Sequence, residues 1–377
     1  FFFQADEGIR DRVACRGLGD LYKRHLLREI SYPQQKEPEP GSSVEIAPGI
    51  LWLSMPMPSS LAFINVYLLR DNGGWWIVDT GLSDRKTSKL WERVISDIIK
   101  PDSVKGMICT HMHPDHIGQA GVIADLFRSD LFMTRTEYYQ ARAFANNTSN
   151  SHSNWIGQSF YEKAGMDKDY LEQVGKMWAN RKQDSMSMPG LPSGYERMED
   201  GDTLDIGGRK WQIIVGSGHS PEHACLYCEE DRILLSGDQI LPVITSNVSV
   251  HASEPRANPM KNWMDSHEYF LSKIPDDTFV LPGHNLPFFG VKQRLHDLIE
   301  HHEERMRLIT DYCETPQIAK DLLPILFNRA LDPRQTMMAL GEAIAHVHLL
   351  LERGGLERIT RENDSDLFKT KNAEENS

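Results

Sequence analysis

From Val44 onward the chain breaks into short apolar runs divided by polar punctuation. Ile50 to Leu53, Ala62 to Leu69 and Trp75 to Val78 read as strands, with Asp71-Asn72-Gly73-Gly74 as the hairpin turn between the last two. Leu90, Val94, Ile95 and Ile98 recur at helical spacing and predict an amphipathic helix. The run Met107-Ile108-Cys109 predicts a strand that ends in a polar loop, after which Ile117, Val122, Ile123 and Leu126 resume the helical period. Leu204 to Val215 reads as a hairpin turning at Gly207-Gly208, and His223 to Leu235 as two strands turning near Glu229-Glu230-Asp231. Alternating strands and helices of this kind place the first three quarters of the chain in the α/β class.

Three stretches depart from that texture. Residues 1–43 mix charges with a Pro-rich patch (Pro33, Pro38, Pro40) and read as an N-terminal arm with a short helix around Asp20 to Glu29. Residues 134–196 interleave aromatics such as Tyr138, Tyr139, Trp155 and Trp178 with polar residues, too long a segment for a bare loop. They predict a helical insertion that serves as a lid on the core domain, or packs against its edge. Past Val291 the pattern turns helical, with further helices around Ile318 to Phe327 and Met337 to Glu352, then a Gly354-Gly355 turn and a short strand. His346 and His348 lie two apart on that last helix, so they cannot share a face and are discounted as ligands. Residues 364–377 read as a disordered tail.

Composition narrows the function classes. A chain of 377 residues accommodates one large domain, here 44–290, and a smaller one, 291–363. The net charge of −13 argues against a general nucleic-acid or anionic-membrane surface. Five scattered cysteines suit a reducing compartment better than a disulfide framework. Cys225 and Cys228 fall on one strand, where residues three apart face opposite ways, so they read as structural. No apolar run reaches the ~20 residues of a membrane span, and Phe1-Phe2-Phe3 is too short for a signal peptide. These features predict a cytoplasmic protein, acting on a small molecule and open to homo-oligomerisation.

The candidate chemistry gathers in Thr110-His111-Met112-His113-Pro114-Asp115-His116-Ile117-Gly118, where four potential metal ligands fall within six residues. Packed so closely, imidazoles and carboxylate would repel or desolvate one another without a cation to hold them. His219, Asp238 and His284 each follow an apolar run, and strand ends are where α/β enzymes place their chemistry. Imidazole with carboxylate favours divalent zinc, iron or manganese.

The run His111-x-His113-x-Asp115-His116, the turn Val78-Asp79-Thr80-Gly81, and His219, Asp238 and His284 in that order resemble the motifs of the metallo-β-lactamase-fold hydrolases, over roughly residues 44–290. The resemblance implies a four-layer αββα sandwich with a metal site at one edge of its sheets. It implies that His111, His113 and His219 hold one ion and Asp115, His116 and His284 a second, with Asp238 bridging and Asp79 orienting ligands from behind. Helix, helix, Gly-turn and strand after residue 291 resemble the winged-helix-like module that accompanies some glyoxalase II-related members.

Two divalent ions, zinc first with iron or manganese as alternatives, would then activate a bridging hydroxide, with Asp115 as a catalytic residue. An aspartate at 238, where several true zinc β-lactamases carry cysteine, matches the glyoxalase II, lactonase and RNA-processing branches. The expected substrate is a carboxylic thioester, ester or lactone, with an acyl thioester foremost. Two alternatives stand beside it: a phosphodiesterase or ribonuclease, which would need a cationic track, and an iron-dependent sulfur dioxygenase. Arg135, Tyr138, His223 and Asn247 are candidate substrate contacts, since each lies near a ligand in sequence or in the insertion.

Overall fold

The computed structural model describes residues 27–58, 61–100, 102–145, 154–179, 190–361 and 364–371, and they divide into two units. The helix expected around Asp20 to Glu29 falls almost wholly outside the described residues, as does Cys15.

The first unit draws on residues 1–147, 183–246 and 269–296. Its larger sheet runs β1 (Ser43–Ala47), β2 (Ile50–Pro56), β3 (Phe63–Asp71), β4 (Gly74–Val78), β5 (Ser103–Ile108), β6 (Leu131–Thr134) and β7 (Glu196–Met198), in sequence order. The first three pairings are antiparallel and the last three parallel. The smaller sheet runs in the order β12 (Phe279–Pro282), β11 (Ile233–Gly237), β10 (His223–Cys228), β9 (Arg209–Gly216) and β8 (Thr203–Ile206).

β2 and β3 are apolar almost throughout because both faces of their sheet are covered. Successive side chains of a strand point to opposite faces. Ile50 and Trp52 of β2, with Tyr67 and Leu69 of β3, pack against Trp211, Ile213, Leu226 and Leu235 of the smaller sheet. Leu53, Met55, Ile64, Val66 and Leu68 face the other way, onto Trp91, Val94, Ile123 and Ala124 of the covering helices. The two sheets and the helices on the outer face of the larger one are layers of the expected αββα sandwich. Among the described residues no helix is long and apolar enough to cross a membrane.

Helix α1 (Arg85–Val94) starts where the Asp84 carboxylate accepts the Thr87 N–H, and it passes into a π-helical turn over Ile95–Ile99. The short α2 (Pro114–Ile117) and α3 (Ala120–Phe127) follow β5. On α3 the register differs from the expected one: Ala120, Ile123 and Ala124 are buried, whereas Val122 and Leu126 are 64% and 56% exposed. The two small alanines, four residues apart, supply the face that approaches the sheet. Helix α4 (Arg135–Ala145) follows β6 directly.

The second unit draws on residues 148–182, 247–268 and 297–377. The insertion is helical as expected, forming α5 (Asn154–Lys163) and α6 (Lys168–Ala179) in addition to α4. Its segment around Met186 and Met188 lies outside the described residues. Helix α7 (Pro259–Lys273) and the long α8 (Val291–Tyr312) pass from one unit to the other. After a 3-10 turn (Ala319–Leu322) and the single-turn α9 (Leu323–Leu326) comes α10 (Pro333–Glu352), opened by a capping box between Asp332 and Gln335. β13 (Leu356–Ile359) then pairs antiparallel with β14 (Leu367–Thr370). The tail expected to be disordered from residue 364 is thus ordered through β14, because Phe368 buries its ring and exchanges both backbone hydrogen bonds with Gln317.

One polar side chain of the first unit ties the two sheets together at one edge. Asn65, buried on β3, donates to the carbonyls of Pro282 (2.8 Å) and Asn285 (2.7 Å) and accepts from the Trp52 indole at 2.8 Å. The Tyr67 hydroxyl adds a 2.9 Å bond to the Pro282 carbonyl. Asn65→Ala strands the Trp52 N–H in a dry interior and removes the tie to the Asn285 carbonyl, so urea unfolding should show a loss of about 1–3 kcal/mol. A midpoint equal to that of the parent protein would refute the tie.

Candidate metal centre

The centre is built where β4 and β5 end side by side. Asp79 sits just past β4 with a left-handed backbone (φ 61°), a conformation Asp tolerates better than most residues. Its carboxylate accepts the Thr110 N–H at 2.8 Å and meets the Thr110 hydroxyl at 2.9 Å. Its Oδ2 also lies 2.7 Å from His116 Nδ1. The turn after β4 and the loop after β5 are therefore locked through one carboxylate. Thr80 reinforces the lock, its N–H and hydroxyl both donating to the His116 carbonyl, at 2.7 and 2.8 Å. Gly118 allows the approach, since a Cβ there would collide with the Gly81 and Ser83 backbone.

Seven side chains converge here. His111 Nε2 lies 2.8 Å from His113 Nδ1 and 3.3 Å from His219 Nε2. Asp238 Oδ2 lies 3.2 Å from His116 Nε2, 3.6 Å from His219 Nε2 and 3.7 Å from His111 Nε2. Its other oxygen is 3.6 Å from His284 Nε2, which is 3.3 Å from Asp115 Oδ2. Two groups result that could each hold a metal ion: His111, His113, His219 and Asp238 in one, Asp115, His116 and His284 in the other. Asp238 borders both.

The rings are oriented from behind. His284 Nδ1 donates to the Phe63 carbonyl at 2.9 Å, and Asp79 occupies Nδ1 of His116, so both rings turn Nε2 inward. Gly283 leaves the space that Asp238 and His116 fill.

The electrostatics suit a cation. Burial, with the neighbouring His116, pushes His111 well below the ordinary imidazole range, and burial with His219 does the same to His113. Both therefore present lone pairs at neutral pH. Burial alone would raise the Asp115 and Asp238 carboxyls, but His116 and His284 overcome it and hold both below the usual range. Asp115 Oδ2 and Asp238 Oδ1 are buried and accept no well-formed hydrogen bond. Anionic oxygens without donors, beside imidazole lone pairs, are the donor set that divalent ions take.

The four expected substrate contacts fall in different settings. His223 is fully buried, and its Nε2 accepts the Asp238 N–H at 3.0 Å. Burial, with His219 nearby, lowers its pKa to about 3, so the ring stays neutral and fixes the backbone under Asp238. Tyr138 is buried on α4, its hydroxyl donating to the Pro192 carbonyl at 2.8 Å and its ring stacked on Tyr195. Arg135 is exposed at the start of α4. Asn247 belongs to the second unit, where its amide donates to Glu342. Cys225 and Cys228 are free, buried thiols, and Cys225 Sγ lies 3.6 Å from His223 Nδ1.

One structural participant escaped the sequence reading. Glu137, fully buried on α4, accepts the Met112 N–H from the metal loop at 2.9 Å and the Glu222 N–H from the His219 loop at 2.8 Å. Burial pushes its carboxyl up to about 7 despite those donors. The available signal was an acid on the same helical face as Ala141, a position where an unpaired charge would be costly.

Comparison with known proteins agrees with this geometry. The metallo-beta-lactamase superfamily domain matches residues 60–284, and a metallo-beta-lactamase-like C-terminal domain matches residues 306–371. A beta-lactamase domain protein from Burkholderia ambifaria superimposes with a TM-score of 0.82 at 35% identity, over 91% of this chain and 98% of its own. The probable metallo-hydrolase YqjP of Bacillus subtilis is 23% identical over 319 residues, which is 80% of this chain and 92% of YqjP. The human acyl-coenzyme A thioesterase MBLAC2 is 24% identical over 202 residues, 51% of this chain and 63% of its own length.

Asp79→Asn keeps a side chain that tolerates the left-handed backbone but removes the charge facing His116. Competition with a chromophoric chelator should show metal affinity falling by about 10–100-fold. Unchanged affinity would remove Asp79 from the ligand scaffold.

Proposed function

The chain belongs to the metallo-beta-lactamase superfamily and is a metal-dependent hydrolase, and from that premise we propose that it cleaves small acyl thioesters with two zinc ions as its resident cofactor. The observation that carries the two-ion reading is the pair of adjoining ligand groups, with Asp238 bordering both. In this reading His111, His113 and His219 would hold one ion and Asp115, His116 and His284 the other, with the Asp238 carboxylate available to both. Such a pair supplies Lewis acidity and a nucleophilic water near neutral pH.

The chain's own residues do the rest. Asp115, kept ionised by His116 and His284, accepts a hydrogen bond from the attacking water, aims it, and passes its proton toward the leaving sulfur. His223 holds Asp238 from beneath, while Glu137 holds the two loops that carry His113 and His219. A thiolate is a good leaving group, so little acid assistance is required of the site. Support for the thioester class comes from the likeness to MBLAC2, an acyl-coenzyme A thioesterase, together with the carboxylate at position 238. The net charge of −13 weighs against a polyanionic nucleic-acid substrate.

The zinc-loaded protein should be offered acyl-coenzyme A thioesters, lactones, aryl esters, bis-aryl phosphodiesters and a cephalosporin. Thioester turnover abolished by a chelator and restored by zinc is expected; turnover of phosphodiesters alone would overturn the carbonyl reading. Asp115→Ala should lower kcat by about 100-fold or more while leaving circular dichroism unchanged. Near-normal turnover in that variant would contradict the role given to Asp115.

A further inference from the structure

The second unit holds another convergence of ligating side chains, and nothing in the hydrolytic site accounts for it. His302 of α8 meets Glu342 and His346 of α10, all three buried, and one ligand atom from each lies within 4.8 Å of the others. Glu342 and His346 are four residues apart, so one helical face presents both. That spacing explains why His346, discounted beside His348, acquires partners from its own helix and a neighbouring one.

The hydrogen bonds fix the ring nitrogens. His346 Nδ1 lies 2.8 Å from the Glu342 backbone carbonyl, which can only accept, so Nδ1 carries the proton and Nε2 the lone pair. That lone pair points at His302 Nδ1, 2.9 Å away. Without an ion, His302 Nδ1 must spend its proton on this contact. The opposite nitrogen, Nε2, is then a lone pair buried without a hydrogen-bond partner. Trp263 meets the His302 ring edge-on, with centroids 4.6 Å apart. The Glu342 carboxylate is fully buried too, and it accepts a 3.1 Å hydrogen bond from the Asn247 amide. Burial raises its pKa and lowers that of His346 to about 3, so the two imidazoles are neutral.

We propose that His302, Glu342 and His346 form a structural site for a borderline divalent ion of the zinc type, joining α8 to α10. Two imidazoles and one carboxylate are a common zinc donor set, and zinc–nitrogen bonds of about 2.0–2.1 Å place ligand nitrogens only slightly farther apart than this pair already is. On binding, the His302 proton moves from Nδ1 to Nε2, and Nδ1 and His346 Nε2 both face the ion. The ion also gives the Glu342 carboxylate a directly bound counter-charge, beyond the longer-range pull of the Arg305 guanidinium. Arg305 is a nearby cation, but its guanidinium is directed to His301 (2.7 Å) and to the Leu326 carbonyl (2.7 Å). The site is independent of the substrate class proposed above.

The test is a metal count by elemental mass spectrometry on zinc-loaded, gel-filtered protein. His346→Gln should carry one ion per chain fewer than the parent, with thioesterase-site ions retained; equal counts in a folded variant would overturn the proposal. Glu342→Gln, which keeps the size of the side chain and an amide for Asn247, should give the same deficit. If neither variant folds, anomalous diffraction at the zinc edge on parent crystals decides. A peak among His302, Glu342 and His346 supports the site, and its absence from zinc-grown crystals refutes it.

Discussion

A single buried carboxylate, that of Asp79, joins the ends of two parallel strands and so sets where the metal loop can go. It takes the first backbone N–H of that loop and one nitrogen of His116, and it does so from a left-handed backbone position. Such a position carries strain that the surroundings must offset. Thr80 and the Trp91 indole provide that support, the latter donating to the Thr80 carbonyl at 2.7 Å. The remaining donors have their own anchors at the sheet edge. His284 rests on the loop that Asn65 and Tyr67 pin, and Asp238 rests on His223. The ligands thus come from the loops after β5, β9, β11 and β12, and His116, Asp238 and His284 are each held by a hydrogen bond to the surrounding scaffold, as a preformed metal site requires.

The consequence is a concentration of charge that the protein interior would not tolerate by itself. Two carboxylates, five imidazoles and the Asp79 carboxylate behind them gather at one edge of the sandwich, all but the half-buried His113 closed off from solvent. His116 is pushed well above its ordinary pKa by Asp238, Asp79 and Asp115, burial notwithstanding, while its neighbours His111 and His113 are pushed well below theirs. Neighbouring imidazoles are thus driven in opposite directions, one toward its charged form and two toward the neutral form that can ligate. Divalent cations remove that conflict, and the same cations supply hydrolytic chemistry.

Much of this was legible in the sequence because the informative residues are local. The hairpin at Asn72-Gly73 and the strand runs before His111, Asp238 and His284 are all present in the fold, and the four candidate ligands in six residues fall within the two convergent groups. What was not legible depends on partners distant in the chain. The face of α3 was misjudged because Ala120 and Ala124, not the larger Val122 and Leu126, make the contact. The strand Leu367–Thr370 was hidden because its stability comes from Gln317 and from β13. Glu137 and His346 looked unremarkable beside their sequence neighbours. Their significance comes from Met112 and Glu222 in one case and from His302 in the other.

The account stands or falls on two cations sharing the sandwich edge. X-ray absorption fine structure at the zinc edge, on protein loaded with two equivalents, measures this most directly. The account predicts a nitrogen and oxygen shell at about 2.0–2.1 Å, rich in imidazole scattering. It also predicts a metal–metal vector at about 3.5–4 Å. A spectrum with no metal–metal vector, or with sulfur in the first shell, would contradict it.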